Sequence, residues 1–295
     1  MFLVTGATGR LGRRVVQKLR QRDQPVRAFV RLTSRYGELE AMGAEIFVGN
    51  LLDERDLEKA VQGVRGIIST HGATDANGGD PQTLDYRANR DLIDLGKAAG
   101  VQQFIFSSVL GADRGYEDSP TFKAKREVEK YLERSGLTYT ILRPSVLMSD
   151  LLPLAERFQQ TGFYLLIGDT KSRTSPISTD DLAQIIVEST SRDAAKNQIF
   201  AVGGPEVLTR EEIPRVFGKV YQREPILINP PLLLVDGIRA FFGVVNPEAQ
   251  EGLGTLRTLL ANEFFCTQAE VERLESTFDL KLETLESFIR RYSRT

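Results

Sequence analysis

The sequence predicts an α/β fold, a doubly wound parallel sheet followed by a smaller, mostly helical C-terminal lobe. Three observations predict it. The apolar run Phe2-Leu3-Val4 leads straight into a glycine-rich turn, Thr5-Gly6-Ala7-Thr8-Gly9-Arg10-Leu11-Gly12. From there to Leu142, short apolar runs alternate with amphipathic helical patterns. After Gly203-Gly204-Pro205 the pattern turns mostly helical, broken by Pro225 and Pro230-Pro231. Alternation of strand and helix implies right-handed crossovers, hence parallel strands with helices on both faces.

The first strand, 2–5, feeds a helix near 10–22 that carries Leu11, Val15 and Leu19 on one face. Further strands are expected at 26–30, 45–48, 66–69, 103–107 and 138–142, with helices near 34–42, 53–61, 85–99 and 122–135 between them. Asp53 is placed to cap the helix near 53–61. Beyond Leu142 the spacing predicts a helix at 150–160, a strand at 163–167, a helix at 180–190 and a strand at 198–202 that returns to the main sheet. Residues 1–204 are expected to form the first domain and 205–295 the second lobe, with 151–162 as a contribution to that lobe. There is no internal repeat.

A net charge of -2, from 38 basic and 40 acidic side chains, argues against nucleic acid as a partner. Cys266 is the only cysteine, so neither an intrachain disulfide nor a cysteine-built zinc site can form, which suits the cytoplasm or a stroma-like reducing compartment. His71 is the only histidine, which excludes mechanisms and metal sites needing two; no metal is expected. No run is apolar for long enough to span a bilayer. The nearest, 231–245, is interrupted by Asp236 and Arg239 and reads as a helix over the core or a substrate pocket, or else as a protein or membrane-surface contact. Because the chain opens on a core strand, no signal peptide is expected before the fold.

The glycine turn is the strongest functional signal. Gly6 permits the sharp exit from the strand, Gly9 lets backbone approach a diphosphate closely, and Gly12 lets the helix pack tightly on the sheet. Thr8, Arg10 and Leu11 complete the turn, and N–H groups at the helix start face the phosphates. The turn reads as a diphosphate cradle for a dinucleotide. The second strand ends in Arg31, with Arg35 close behind and no carboxylate at the tip. A guanidinium there binds a 2′-phosphate that a carboxylate would repel, so NADP(H) is favoured over NAD(H). Asn50 and Leu51 follow the third strand, where the Asn50 amide can meet the adenine edge. Thr70, His71 and Gly72 follow the fourth and leave room for a ribose. His71 is read as a loop residue beside the cofactor.

Several further runs carry a resemblance. They are Phe104-Ile-Phe-Ser-Ser108, Lys125-Arg-Glu-Val-Glu129, Tyr139-Thr-Ile-Leu-Arg-Pro144, Pro176-Ile-Ser-Thr-Asp-Asp-Leu-Ala183 and Val202-Gly-Gly-Pro205. With the glycine turn they resemble the NmrA-like branch of the atypical short-chain dehydrogenases/reductases, over roughly the first 210 residues. The resemblance implies NADP(H) binding, a variable C-terminal substrate lobe, and passage of Pro144, Ser145 and Val146 under the nicotinamide. It also implies a serine, tyrosine and lysine set, the last two as Tyr-x-x-x-Lys. Here Ser107 and Ser108 stand at the strand tip and Lys125 at the lysine position, but Thr121 stands where the tyrosine belongs. A threonine hydroxyl is far too weak an acid to replace a phenol.

Three alternatives stay open. Lys125 donates the proton or orients a water, as in reductases of the isoflavone type; Tyr116 or Tyr164 supplies the phenol; or nothing reacts. Asn89 is explained equally well by helix polarity, and Arg143 by a structural ion pair. The sequence therefore points to an NADPH-dependent reductase of a small apolar carbonyl, enone or quinone, with 232–235, Phe241 and Phe242 walling a dry pocket. The alternative is a non-catalytic NADP(H)-binding regulatory or assembly scaffold that holds a protein partner through 231–245.

Overall fold

A computed structural model of the chain describes residues 1–73, 79–116, 119–230 and 247–293, without the side chains of 247–253. The apolar stretch 231–245, read from the sequence as a pocket wall or partner surface, lies outside the described residues.

The first compact unit comprises Met1–Asp113, Thr121–Arg143 and Thr179–Phe200. Its strands are β1 (Phe2–Thr5), β2 (Val26–Val30), β3 (Glu45–Val48), β4 (Gly66–Ser69), β5 (Gln103–Ser107) and β6 (Thr138–Pro144). Its helices are α1 (Arg10–Arg20), α2 (Gly37–Ala41), α3 (Glu54–Ala60), α4 (Ala88–Ala98) and α5 (Pro120–Arg134). The sheet runs β3-β2-β1-β4-β5-β6-β9, where β9 is Gln198–Val202, so the chain returns to the main sheet as expected. Pairing is parallel, with Leu3 opposite Arg27 on one side and Ile67 on the other. β1, β4 and β5 are buried along their whole length, as strands covered on both faces must be. The core joins Leu3, Phe29, Ile67, Phe104 and Ile141 of the sheet to Leu57, Leu92 and Val128 of the helices. Strand order reverses between β1 and β4, and such sheets take their ligands at the carboxyl ends beside that switch point.

Two helices differ from expectation. The helix expected over 34–42 shrinks to α2, because the chain first turns at Arg31–Ser34 and Leu39 alone anchors a face. The helix expected over 85–99 opens with a wider π-helical turn, Gln82–Arg87, before α4 begins. Asp80 accepts the Thr83 N–H at the start of that turn. Asp53 caps α3 as expected, accepting the Arg55 N–H.

The second unit comprises Arg114–Pro120, Pro144–Ser178 and the described residues from Ala201 onward. It holds α6 (Met148–Thr161), α8 (Glu212–Tyr221), α9 (Pro247–Ala261), α10 (Gln268–Phe278) and α11 (Leu285–Tyr292), while α7 (Thr179–Ser189) packs on α1 in the first unit. Leu151 and Phe158 of α6, Phe217 of α8 and Phe288 of α11 share one core. Two small sheets complete it, β7 (Phe163–Leu165) with β11 (Ile226–Ile228) in parallel and β8 (Arg173–Thr174) with β10 (Leu208–Thr209) antiparallel. Cys266 is fully buried, and burial pushes its thiol up to about 12. Among the described residues, no helix is long and apolar enough to cross a membrane.

Candidate active site

The carboxyl ends of β1 and β4 hold the glycine turn. Gly6 has a positive φ of 69°, and a Cβ on it would lie 2.7 Å from the His71 backbone nitrogen. A Cβ on Gly12 would come within 2.2 Å of the Gly6 carbonyl oxygen. Gly9 is the residue before α1; its N–H donates to the Gly6 carbonyl at 2.9 Å, and its own carbonyl takes the Arg13 N–H. The loop is thus pressed onto the β4 tip, while Gly9 and Arg10 stay exposed at the amino end of α1. Thr8 is half-buried and Leu11 is buried. Backbone N–H groups over a helix start, in a bend no side chain can enter, suit a diphosphate. The residues fit a dinucleotide.

Arg31 and Arg35 are exposed beyond β2, where no carboxylate follows the strand directly. Glu38 of α2 is instead paired with Arg13 at 2.8 Å. Asn50 is exposed beyond β3, its Oδ1 accepting the Leu52 N–H at 3.0 Å, with Leu51 buried behind it.

Beyond β4 lies a polar network that the sequence only hinted at. Thr70 Oγ1 donates to the Thr5 carbonyl at 2.8 Å. His71 turns inward. Its Nδ1 meets Thr5 Oγ1 at 2.7 Å, and its Nε2 lies 3.1 Å from the Leu84 carbonyl and 3.2 Å from Asn89 Nδ2. Burial brings its pKa down to about 4; the Lys125 charge acts in the same direction, against the opposing effects of Asp85 and the Leu84 bond. The ring is therefore neutral at physiological pH. Ser69 Oγ donates to Asn89 Oδ1, and Asn89 Nδ2 donates to the Asp85 carbonyl, each at 2.6 Å.

Lys125 reaches the same place from α5. Its Nζ lies 3.2 Å from Asp85 Oδ1, donates to the Ser107 carbonyl at 3.2 Å, and stands 5.2 Å from the centre of the Phe106 ring. Ser107 is nearly buried at the end of β5. One turn along α5, Glu129 is fully buried. It accepts from Ser108 Oγ at 2.6 Å and from Arg143 at 2.9 and 2.7 Å. Arg143 also pairs with Asp113, a structural role. The structure thus brings Gly6, Gly12, Thr70, His71, Gly72, Ser107 and Lys125 together at the β1, β4 and β5 tips.

Pro144, Ser145 and Val146 belong to the second unit. There Ser145 Oγ donates to the Phe264 carbonyl at 2.5 Å, and the Val146 carbonyl takes the Ile177 N–H. Thr121 is half-buried in the first turn of α5. Tyr164 packs edge-on against Phe217 at 5.9 Å, and burial pushes its phenol up to about 12. Tyr116 packs against Phe264 at 5.8 Å. Sequence reasoning missed Asp85. Its signal was present, since Asp85 and Asn89 continue the buried stripe of Leu92, Ile93 and Gly96, where apolar residues belong. Among the described residues, no cluster of three or more His, Cys, Asp or Glu could hold a metal.

Fold and cradle define a dinucleotide-binding α/β protein of the Rossmann class. Residues 6–193 match the NAD(P)H-binding family. An NAD(P)H azoreductase from Xenophilus azovorans is 31% identical over 216 residues, which cover 72% of this chain and 71% of that protein. The chain belongs to the NAD(P)H-binding family. The photosystem II assembly factor Ycf39 of Cyanophora paradoxa is 25% identical over 299 residues, 99% of this chain and 91% of its own. The NADPH-dependent quinone oxidoreductase of Escherichia coli, complexed with NADPH, shares the fold with a TM-score of 0.79 at 21% identity, covering 99% of this chain and all of that one.

Proposed function

We propose that the protein is an NADPH-dependent reductase of a small apolar carbonyl, enone or quinone, with Lys125 as its proton donor. The observation that carries this reading is the placement of Lys125, a nearly buried ammonium beside the β4 and β5 tips, next to the glycine cradle. Arg31 and Arg35 hold the 2′-phosphate, and the Gly6–Gly12 turn holds the diphosphate. Asn50 and Leu51 flank the adenine, and Thr70, Gly72 and Ser107 flank the nicotinamide ribose. NADPH supplies the hydride when bound. Lys125 gives a proton to the substrate atom that gathers negative charge, and solvent returns it. A buried ammonium both donates and stabilises that charge. Thr121 has no part in the proton transfer, and Tyr164 stays in its core. The names of the azoreductase and quinone oxidoreductase support an electron-accepting, conjugated substrate. NADPH oxidation against a panel of quinones, azo dyes and enones tests the reading. Turnover in the wild type and its loss in Lys125→Ala are expected; unchanged turnover in the variant removes lysine from the mechanism.

A second reading is favoured by one feature of the second unit. Phe163 and Leu165 of β7 and Ile226, Leu227 and Ile228 of β11 are all exposed, an apolar patch of the kind that meets a protein. The assembly factor matches nearly the whole chain. In this reading the cofactor stabilises the fold by linkage and the C-terminal lobe holds a partner. Tight NADPH binding with no turnover of any acceptor favours it.

A further inference from the structure

We propose that Asp85 is a positioning residue, whose buried carboxylate fixes the Lys125 ammonium at the cofactor crevice in place of the missing tyrosine one turn earlier on α5. The inference rests on Lys125 meeting the cofactor, as in the reading above.

A lysine on a helix is a poor device for placing a charge, because its four-carbon stem rotates freely. Here the stem is held from two elements. The Ser107 carbonyl and the Phe106 ring constrain it from β5, and Asp85 from the π-helical turn, 3.2 Å from Nζ. Asp85 is wholly buried, whereas the Lys125 side chain keeps 12% exposure. The carboxylate is thus out of reach of the crevice and acts on it only through the ammonium.

Asp85 is itself fixed. Its Oδ2 accepts the Ala73 N–H at 3.0 Å, which ties it to the loop after β4. Its carbonyl accepts from Asn89, which Ser69 holds in turn. The wider π-helical turn is the local irregularity that carries Asp85 into this position, and such turns are often retained where a side chain must be re-aimed. Gly72 supplies an independent observation. A Cβ there would stand 3.1 Å from Asp85 Oδ1 and 3.8 Å from Lys125 Nζ. The residue beside the pair is thus the one type that leaves it uncrowded.

The chemistry is that of an unequal buried pair. Removing the negative partner leaves a desolvated cation with one carbonyl for company, which swings toward water. Asp85→Asn keeps the shape and removes the charge. The test is a double-mutant cycle read as NADPH affinity by fluorescence titration, in wild type, Asp85→Asn, Lys125→Ala and the double variant. Asp85→Asn is expected to weaken NADPH about tenfold through loss of the charge pairing with Lys125, a 3.2 Å contact that is electrostatic and not a hydrogen bond, and to have no further effect once Lys125 is alanine. Equal weakening by Asp85→Asn in both backgrounds overturns the proposal, since the residue would then act on the fold and not through lysine. Weakening by Lys125→Ala with no effect of Asp85→Asn overturns it while sparing the reading of Lys125. No effect of Lys125→Ala overturns both. If Asp85→Asn does not fold, Asp85→Ser serves as the second variant. With no charge to hold the ammonium, it is expected to weaken NADPH in wild type and not in Lys125→Ala, and additivity there again overturns the proposal.

Discussion

Gly12 and Gly6 approach so closely that a single methyl group on Gly12 would lie 2.2 Å from the Gly6 carbonyl oxygen. The first turn of α1 therefore leans on the loop that precedes it, and the cradle's shape depends on the absence of that methyl. Gly12→Ala is expected to destabilise the fold by about 1–3 kcal/mol, the usual range for overpacking, and to weaken NADPH binding beyond what that loss explains. Urea unfolding beside a fluorescence titration separates the two. Wild-type affinity in a folded Gly12→Ala protein would contradict the role given to the turn.

Arg31 is expected to set the choice of cofactor. Its guanidinium is exposed beyond β2, and Glu38 is occupied by Arg13. Wild type should bind NADPH more tightly than NADH. Arg31→Ala should lose most of that difference, about tenfold or more in NADPH affinity with NADH unaffected, as for a charge-assisted bond. Calorimetry with both cofactors checks this, and equal wild-type affinities would remove Arg31 from the argument.

Glu129 and Arg143 form a buried pair beneath the site. Glu129→Ala removes the buried partner of the guanidinium, leaving it Asp113 alone, and is expected to cost about 1–3 kcal/mol of stability. Adding Arg143→Met should recover part of it, because the half-paired charge then leaves as well. Denaturant midpoints of the two variants decide the point; a double variant no more stable than Glu129→Ala would count against the pair.

His71 predicts an acid limb. Its pKa is about 4 in the fold against an ordinary 6.5. As pH falls below 6.5 the unfolded chain takes up a proton that the folded ring refuses until about 4. Stability contributed by the neutral ring is therefore whole above 6.5 and lost progressively down to 4, on the order of 3 kcal/mol in total. Urea midpoints between pH 7.5 and 5 should fall in wild type, and the fall should flatten in His71→Gln. The same slope in both proteins would assign the effect to other groups.

Much of this architecture was legible in the sequence because buried parallel strands read as short apolar runs. β1, β2, β3, β4 and β5 fall where those runs predict. Asp53 as a cap and the Leu11-Val15-Leu19 face of α1 were equally plain. What stayed hidden depends on distance or on a fraction of a turn. Hydrophobic spacing over one turn does not separate a π-helical stretch from an α-helical one, so the start of α4 was misread. Asp85 and Lys125 are forty positions apart, and nothing local pairs them. His71 had no visible partner in the sequence, yet its contacts come from Thr5, Leu84 and Asn89, each on a different segment. The pairing of β7 with β11 likewise joins strands some sixty residues apart.

Cys266 has a practical consequence. Its side chain is sealed in the second unit, and its thiol is held at about 12, so almost none of it is thiolate at neutral pH. An alkylating dye added to the folded protein has no native target. A cysteine introduced at exposed Leu32, next to Arg31, would become the sole labelling point, and a fluorophore there would report cofactor arrival without any native residue first being removed.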